Sequence, residues 1–559
     1  MNDPKGFDRF AGKVLRDWKV NGAAVAAIED GKVILCRGYG LRDAENRKPV
    51  TEHTLFPLAS VTKAFTAASL ATLVDEGKLD WDRPVREYLP DFRLWDDFAG
   101  ERITPRDLLT HRSGLPRHDL MWYGSPLPRE EIIHRLRHLR PTADLRALYQ
   151  YQNLMYMAAG YLAGKLAGSS WEEVVRSRLL DPIGMVSTHF SVRDIRSTED
   201  HALPYAKIGT KVREIPYYED QEAIGPAGAL VSNVADMARW LQVHLNGGLS
   251  GEKRVLSEAQ VRELHTPVTA MEPGRWPEMP QSTYAMGWVV QPYRGHMMLQ
   301  HTGGIDGFST IAALLPDERS GVVVLTNMGG SSANYVIAFN LLDRLLGLDQ
   351  VPWNQRFLED NQQFEEAAKR AKKRVAAKRV RSTRPSHPLE AYAGTYTHPA
   401  YGPITISLDG TALKLRYHHL EADLKHYHYD TFLAENQNLG IVAPAQFLSD
   451  VRGTISGLSA PLEPTGDDIV FSHAPDESLQ SADYLSRFTG SYDLMGYPVT
   501  VTAFDGTLQV KLPGEPEYRL RPLSEGSFAV EGPSSLTIEF DEQGVTIARP
   551  ESVLTASRK

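Results

Sequence analysis

Ser60-Val61-Thr62-Lys63 is the stretch around which the chain reads. Phe56-Pro57-Leu58-Ala59 leads into it. Ala64-Phe65-Thr66-Ala67-Ala68-Ser69-Leu70-Ala71-Thr72-Leu73-Val74 follows, rich in helix formers, with Gly77 as a stop. The pattern predicts a helix with Ser60 at or just inside its N-terminus and Lys63 on the same face, three residues on. A serine hydroxyl becomes a nucleophile when a neighbour takes its proton. A lysine amine can do so when burial, or the positive potential of a helix start, lowers its pKa. The pattern is not unique. Ser250-Gly251-Glu252-Lys253 repeats it after Asn246-Gly247-Gly248, and there reads as a polar surface turn.

Two further motifs decide between the copies. Tyr151-Gln152-Asn153 precedes the apolar helix predicted over Leu154 to Leu166. A tyrosine beside an ammonium can have its phenolic pKa lowered, then act as base and return the proton to a leaving group. An asparagine amide can orient Lys63 or a substrate amide. Tyr149 and Tyr156 read as packing aromatics. The third motif is His301-Thr302-Gly303-Gly304, between Met297-Met298-Leu299-Gln300 and Gly307-Phe308-Ser309-Thr310-Ile311-Ala312-Ala313-Leu314. It reads as a strand pair with glycines at the join, where backbone can approach a ligand and present an N–H to a developing oxyanion. His301 can donate to a substrate carboxylate or carbonyl. His111, just after a helix-like segment, reads as structural.

Composition bounds the remainder. The chain has 559 residues, 42% hydrophobic and 23% charged, with net charge −9. The length implies several domains, and the balance gives no reason to expect a nucleic-acid or membrane partner. No apolar run approaches the roughly 20 residues that span a bilayer. Met1-Asn2-Asp3-Pro4-Lys5-Gly6 lacks the apolar core of a secretory signal, so a cytoplasmic protein is expected if this is the native start. Cys36 is the single cysteine and reads as a buried small hydrophobe in a strand. Strands at both ends of the first 350 residues, with helices between and flanking, predict an α+β fold: one antiparallel sheet, flanking helices and a helical subdomain. Residues 266–283 read as a long loop.

Taken together, Ser60-x-x-Lys63, Tyr151-x-Asn153 and His301-x-Gly303 resemble, in order and rough spacing, the serine β-lactamase and penicillin-binding-protein-like hydrolases. The likeness is to the class C β-lactamase-related branch of esterases and D-aminopeptidases. Leu108-Leu109-Thr110-His111-Arg112-Ser113-Gly114-Leu115 and Pro226-Ala227-Gly228 agree with it. The resemblance implies a β-lactamase/transpeptidase-like fold and attack by Ser60 on an ester or amide, with Lys63 and Tyr151 sharing the proton. Which of the two is the formal base stays open. It further implies an oxyanion hole from the N–H groups of Ser60 and Gly304, and substrate positioning by Asn153, His301 and Gly303. Classical members carry lysine where this chain has His301, a less reliable cation at neutral pH. No cofactor and no metal are implied. The substrate class is a small peptide, amide or ester, with a D-amino-acid amide first, a carboxylesterase with weak β-lactamase activity second, and a non-catalytic binding protein as the rival of another class. Homo-oligomerisation is left open. No Gly-x-Ser-x-Gly is present to support a Ser-His-Asp site.

Beyond a catalytic domain over 1–350, residues 351–385 read as a charged helical linker. Tyr392-Ala393-Gly394-Thr395-Tyr396 recurs as Phe488-Thr489-Gly490-Ser491-Tyr492, and Asp409-Gly410-Thr411 as Asp505-Gly506-Thr507, both at an offset of 96 (488 − 392). Two small antiparallel barrels are therefore expected, over 386–480 and 481–559. The first also resembles the C-terminal domain fused to these hydrolases, where barrels limit access to the site. His418, His419, His426 and His428 read as structural, since strand alternation would split them between faces.

Overall fold

The computed structural model describes residues 4–219, 222–436, 441–451, 453–504, 506–530, 536–549 and 551–559. Asp505 of the second repeat and the first three residues of the leader reading lie outside these. The chain opens with α1 (Pro4–Trp18), whose Phe7, Ala11, Val14, Leu15 and Trp18 are buried along one stripe. A hairpin follows, β1 (Gly22–Glu29) and β2 (Lys32–Asp43), with the short β3 (Lys48–Pro49) beside it.

After the 3₁₀ turn Ala59–Val61 comes α2 (Thr62–Asp75), in which every residue from Thr62 to Leu73 is buried. A helix apolar all round belongs inside a domain. The helical subdomain ends in α3 (Asn153–Ala167), and α4 (Val234–Leu245) is capped by the Asn233 side chain. The strands β4 (Thr269–Ala270), β5 (Thr283–Tyr284), β6 (Val289–Tyr293), β7 (His296–Ile305), β8 (Phe308–Leu315) and β9 (Ser320–Thr326) complete the sheet, in the order β4-β5-β6-β7-β8-β9-β1-β2-β3, antiparallel throughout. β8 and β9 are buried along their whole length. They run as apolar stretches because helices cover both faces: α1 and α5 (Ala333–Leu345) on one, α2, α3 and α4 on the other.

Three sequence expectations shift. His301 to Gly304 lie inside β7, and the turn to β8 is Asp306-Gly307. Cys36, on β2, is half-buried rather than buried, and burial pushes its thiol up to about 11. The long loop over 266–283 contains β4 and the start of β5 at its ends. Ser250 and Lys253 pair across a two-residue hairpin and not along a helix.

The charged stretch after residue 351 forms α6 (Trp353–Ala377), of which only Trp353 is buried. Two closed eight-stranded barrels follow, from Gly394–His398 to Ile469–His473 and from Gly490–Leu494 to Ser552–Arg558. Closure pairs the first strand with the last and removes the open edges. The repeat has a physical cause. The buried Tyr396 hydroxyl donates to the Tyr392 carbonyl at 2.9 Å, and Tyr492, 96 residues on, donates to Phe488 at 2.8 Å. Each ties the strand back onto the turn that precedes it. The two barrels are packed differently. The first shares one continuous apolar core with the sheet domain, while the second has a core of its own. Each of Tyr396→Phe and Tyr492→Phe leaves a buried carbonyl unpaired and is expected to cost about 1–2 kcal/mol in urea unfolding. Neutral effects at both positions would contradict the tie.

Candidate active site

Ala59, immediately before the serine, has φ +49°, a left-handed conformation uncommon for a residue with a side chain. The turn is held from both sides. The Leu58 N–H donates to the Leu230 carbonyl at 2.7 Å, and the Leu58 carbonyl accepts from the Thr310 hydroxyl at 2.9 Å. β7 passes so close that a Cβ on Gly303 would sit 2.0 Å from the Leu58 oxygen and 3.1 Å from the Ala59 Cβ. At Gly304 a Cβ would meet nothing within 4 Å. The two glycines therefore differ: Gly303 allows close packing of β7 on the Ser60 turn, and Gly304 borders open space.

That space is a cavity of about 560 Å³, lined among others by Ser60, Asn153, Gly304, Arg117, Asp119 and Asp306. Lys63 is fully buried behind Ser60. Its Nζ lies 3.0 Å from Ser60 Oγ, 2.8 Å from Asn153 Oδ1 and 2.8 Å from the Ala227 carbonyl. The rings of Tyr151 and Tyr156 cover it at 4.9 and 5.4 Å. Burial, and then the Arg117 guanidinium, push the Lys63 amine well below its ordinary value, with Asp119 pulling the other way. A neutral amine has two N–H groups and one lone pair. Two carbonyl oxygens take the N–H groups, and the lone pair is left to accept from the Ser60 hydroxyl.

Tyr151 moves opposite to the sequence expectation. Its phenol is pushed up, not down, because burial outweighs both its hydrogen bond with Ser60 and the nearby Arg117. Tyr151 is thus a protonated donor at neutral pH.

His301 is also placed differently. It is 3% exposed, Nε2 lies 2.9 Å from the Tyr284 hydroxyl, and Nδ1 lies 2.7 Å from the Thr302 carbonyl. Burial, and then Lys63, push its imidazole down to about 3, so it is neutral. With both ring nitrogens engaged, it has no free N–H to offer a substrate. The cavity lining includes neither His301 nor Gly303. His111, also buried, accepts from the Gln152 N–H at 3.0 Å and so holds the Tyr151-Gln152-Asn153 segment. Tyr156 is fully buried and donates to the Leu109 carbonyl.

Four groups escaped the sequence reading. The Asp119 carboxylate accepts from Asn153 Nδ2 at 3.0 Å, from Trp122 Nε1 at 3.0 Å and from Arg117 Nε at 2.6 Å. Arg117 also lies 4.8 Å over the Tyr151 ring. Asp306 accepts from the Tyr123 hydroxyl at 2.6 Å. The Ala227 carbonyl was visible only as a turn. Pro116-Arg117-His118-Asp119 has no spacing signal, and loop charges usually face solvent.

Comparison with known proteins bears on the family and the fold. The Beta-lactamase family profile matches residues 7–343, and a domain of unknown function, DUF3471, matches 378–473. An unguisins hydrolase of Aspergillus campestris is 34% identical over 424 residues, covering 72% of this chain and 77% of that protein. A second unguisins hydrolase, of Aspergillus violaceofuscus, is 30% identical over 499 residues, covering 82% and 88%. Among solved structures, an octameric penicillin-binding protein homologue from Pyrococcus abyssi superposes with TM-score 0.57 at 22% identity, covering 84% of this chain and 100% of that one. The D-amino acid amidase of Ochrobactrum anthropi superposes with TM-score 0.52 at 24% identity, covering 61% and 98%.

The contrast between the two glycines is measurable. Gly303→Ala is expected to lose about 1–3 kcal/mol of stability through overpacking, whereas Gly304→Ala keeps the parent melting temperature. Equal melting temperatures would remove the packing explanation.

Proposed function

The chain belongs to the Beta-lactamase family and is a serine hydrolase, and from that premise we propose that it cleaves small amides or short peptides bearing a D-amino acid, as a D-aminopeptidase or D-amino-acid amidase, through an acyl-enzyme on Ser60. Lys63 is the base in this reading. Its lone pair takes the Ser60 proton as Oγ attacks the carbonyl carbon. The backbone N–H groups of Ser60 and Gly304 stabilise the oxyanion. Tyr151, protonated, gives its proton to the leaving amine as the C–N bond breaks, and is reprotonated from the Lys63 ammonium. Water then attacks the ester and loses its proton to the Lys63 amine, and the Lys63 ammonium gives that proton to Ser60 Oγ as the acyl C–O bond breaks, which restores the hydroxyl and the neutral amine. Asn153 keeps Lys63 in register throughout.

Asp306 carries the substrate reading. It lines the cavity two residues from Gly304, and among the described residues no cation pairs with it. Asp119, by contrast, is already held by three donors. A carbonyl seated against Gly304 would bring a free α-ammonium within reach of Asp306. The name of the Ochrobactrum anthropi neighbour agrees with an amide substrate. Leu420 of the first barrel forms part of the cavity wall, which supports a preference for small substrates. Neutral His301 offers no cation at the position where classical members carry lysine, which weighs against β-lactamase activity. A carboxylesterase is the second reading, because the same acyl chemistry needs no carboxylate partner.

The test is hydrolysis of D-alanine and L-alanine p-nitroanilides beside p-nitrophenyl butyrate. Preferential cleavage of the D-amide, lost in Ser60→Ala, is expected, and ester cleavage alone selects the esterase. Asp306→Asn should raise KM for the D-amide about tenfold or more, the worth of one charged hydrogen bond, and leave the butyrate KM unchanged. Equal effects on both substrates would remove Asp306 from amine recognition. The pH profile has a definite sign. With p-nitrophenyl butyrate, which carries no titrating amine, activity rises with pH as Lys63 loses its proton, at a pKa well below the ordinary lysine value, and then holds through pH 10 because the Tyr151 phenol titrates above its usual range. An alkaline fall below pH 9 would contradict this assignment.

A further inference from the structure

The chain of contacts behind Lys63 does not end in the sheet domain. His118, between Arg117 and Asp119, has φ +47°, again left-handed for a residue with a side chain. Its N–H donates to the Glu463 carboxylate at 2.7 Å, and its Nδ1 pairs with the Tyr401 hydroxyl at 2.7 Å. The Tyr417 hydroxyl donates to the Leu120 carbonyl at 2.8 Å. Glu463, Tyr401 and Tyr417 all belong to the first barrel and all are buried. The Glu463 carboxylate is itself braced by the Thr465 N–H and hydroxyl. A Cβ on Gly124 would sit 1.9 Å from the His419 ring, so the barrel lies directly on the end of this segment. The barrel thus supplies partners for both the N–H and the ring of this left-handed residue.

We propose that the first barrel positions the catalytic base: Glu463 and Tyr417 fix the His118–Leu120 backbone and Tyr401 the His118 ring, which sets Asp119 against Asn153 and Asn153 against Lys63. The proposal rests on the reading of Lys63 as the base for Ser60. Its logic is the asymmetry of a carboxamide. Asp119 accepts only, so it takes the NH₂ end of Asn153 and turns the oxygen to Lys63. Without Asp119 the amide is free to turn over. Its N–H groups would then face the N–H groups of Lys63, and the lone pair would lose its aim at Ser60. The barrel is thus a positioning element for turnover as well as a wall of the cavity, and its three residues touch neither substrate nor nucleophile.

The readout is turnover and its pH dependence, not stability alone. The charged and titratable groups facing Lys63 are Arg117, Asp119, Tyr151, Tyr156, His111 and His301. Asp119 is the carboxylate among them, and it raises the Lys63 pKa. If Asp119 moves away, the acid limb of kcat shifts to lower pH. The variants are Glu463→Gln, Tyr401→Phe and the pair together in the full chain, assayed with p-nitrophenyl butyrate, with Lys414→Ala, an exposed residue of the same barrel, as control. We expect kcat of the double variant to fall about tenfold or more, KM to stay within about twofold, the acid limb to move to lower pH, and Lys414→Ala to match the parent. A folded double variant with parent kcat and an unmoved acid limb overturns the proposal, even if its melting temperature drops. Should the double variant fail to fold, Tyr417→Phe is read by the same two criteria. Ser60→Ala separates this proposal from the one beneath it: if that variant still turns over the ester, the Ser60–Lys63 reading fails whatever the barrel variants do.

Discussion

The site depends on keeping one amine out of water. Lys63 is fully buried, and a charged amine there would face a desolvation cost that no single partner offsets. Burial therefore pushes its pKa well down toward the neutral form, and two carbonyl oxygens accept from its N–H groups. The same demand accounts for the helix that carries it. α2 is buried on all sides, yet it holds Thr62, Lys63 and Thr66, and each finds a backbone partner in the 226–230 segment. Polar groups are tolerated inside when every one is matched. The arrangement that makes a stable interior also leaves one lone pair beside a serine hydroxyl.

β7 shows how one strand serves two ends. Its buried side chains and backbone brace the interior: His301 between Tyr284 and the Thr302 carbonyl, Gly303 against Leu58. At Gly304 the strand borders the cavity. Adjacent glycines thus have unlike reasons, one steric and one of access. A histidine in this position cannot act as the fixed cation that a lysine would provide, because burial removes its charge before any substrate arrives.

The two barrels have the same strand count, the same tyrosine tie and opposite relations to the rest of the chain. The first shares a core with the sheet domain, and its Leu420 borders the cavity. The second keeps its core to itself. Residues 117–124 of the sheet domain, which include the short helix Asp119–Trp122, meet the first barrel at Glu463, Tyr401 and Tyr417. A repeat in sequence conserves the internal packing of a unit and says nothing about what each copy leans on.

Much of this was legible before any coordinate. Helix patterning located α2 and α3, because it depends on neighbours three or four residues away. The 96-residue offset located two barrels for the same reason: Tyr396 and Tyr492 bond within their own turns. Ser60, Lys63, Tyr151, Asn153 and Gly304 do converge in space. The protonation of Lys63 and Tyr151, the retreat of His301 into the interior, and the presence of Arg117, Asp119 and Asp306 at the cavity were not legible. Each is set by burial and by partners distant in sequence: 90 residues from Lys63 to Asn153, and 345 from His118 to Glu463. Local pattern specifies which residues can do chemistry. The charge they carry, and the direction they face, are fixed only when the folded chain removes water and brings those distant groups together.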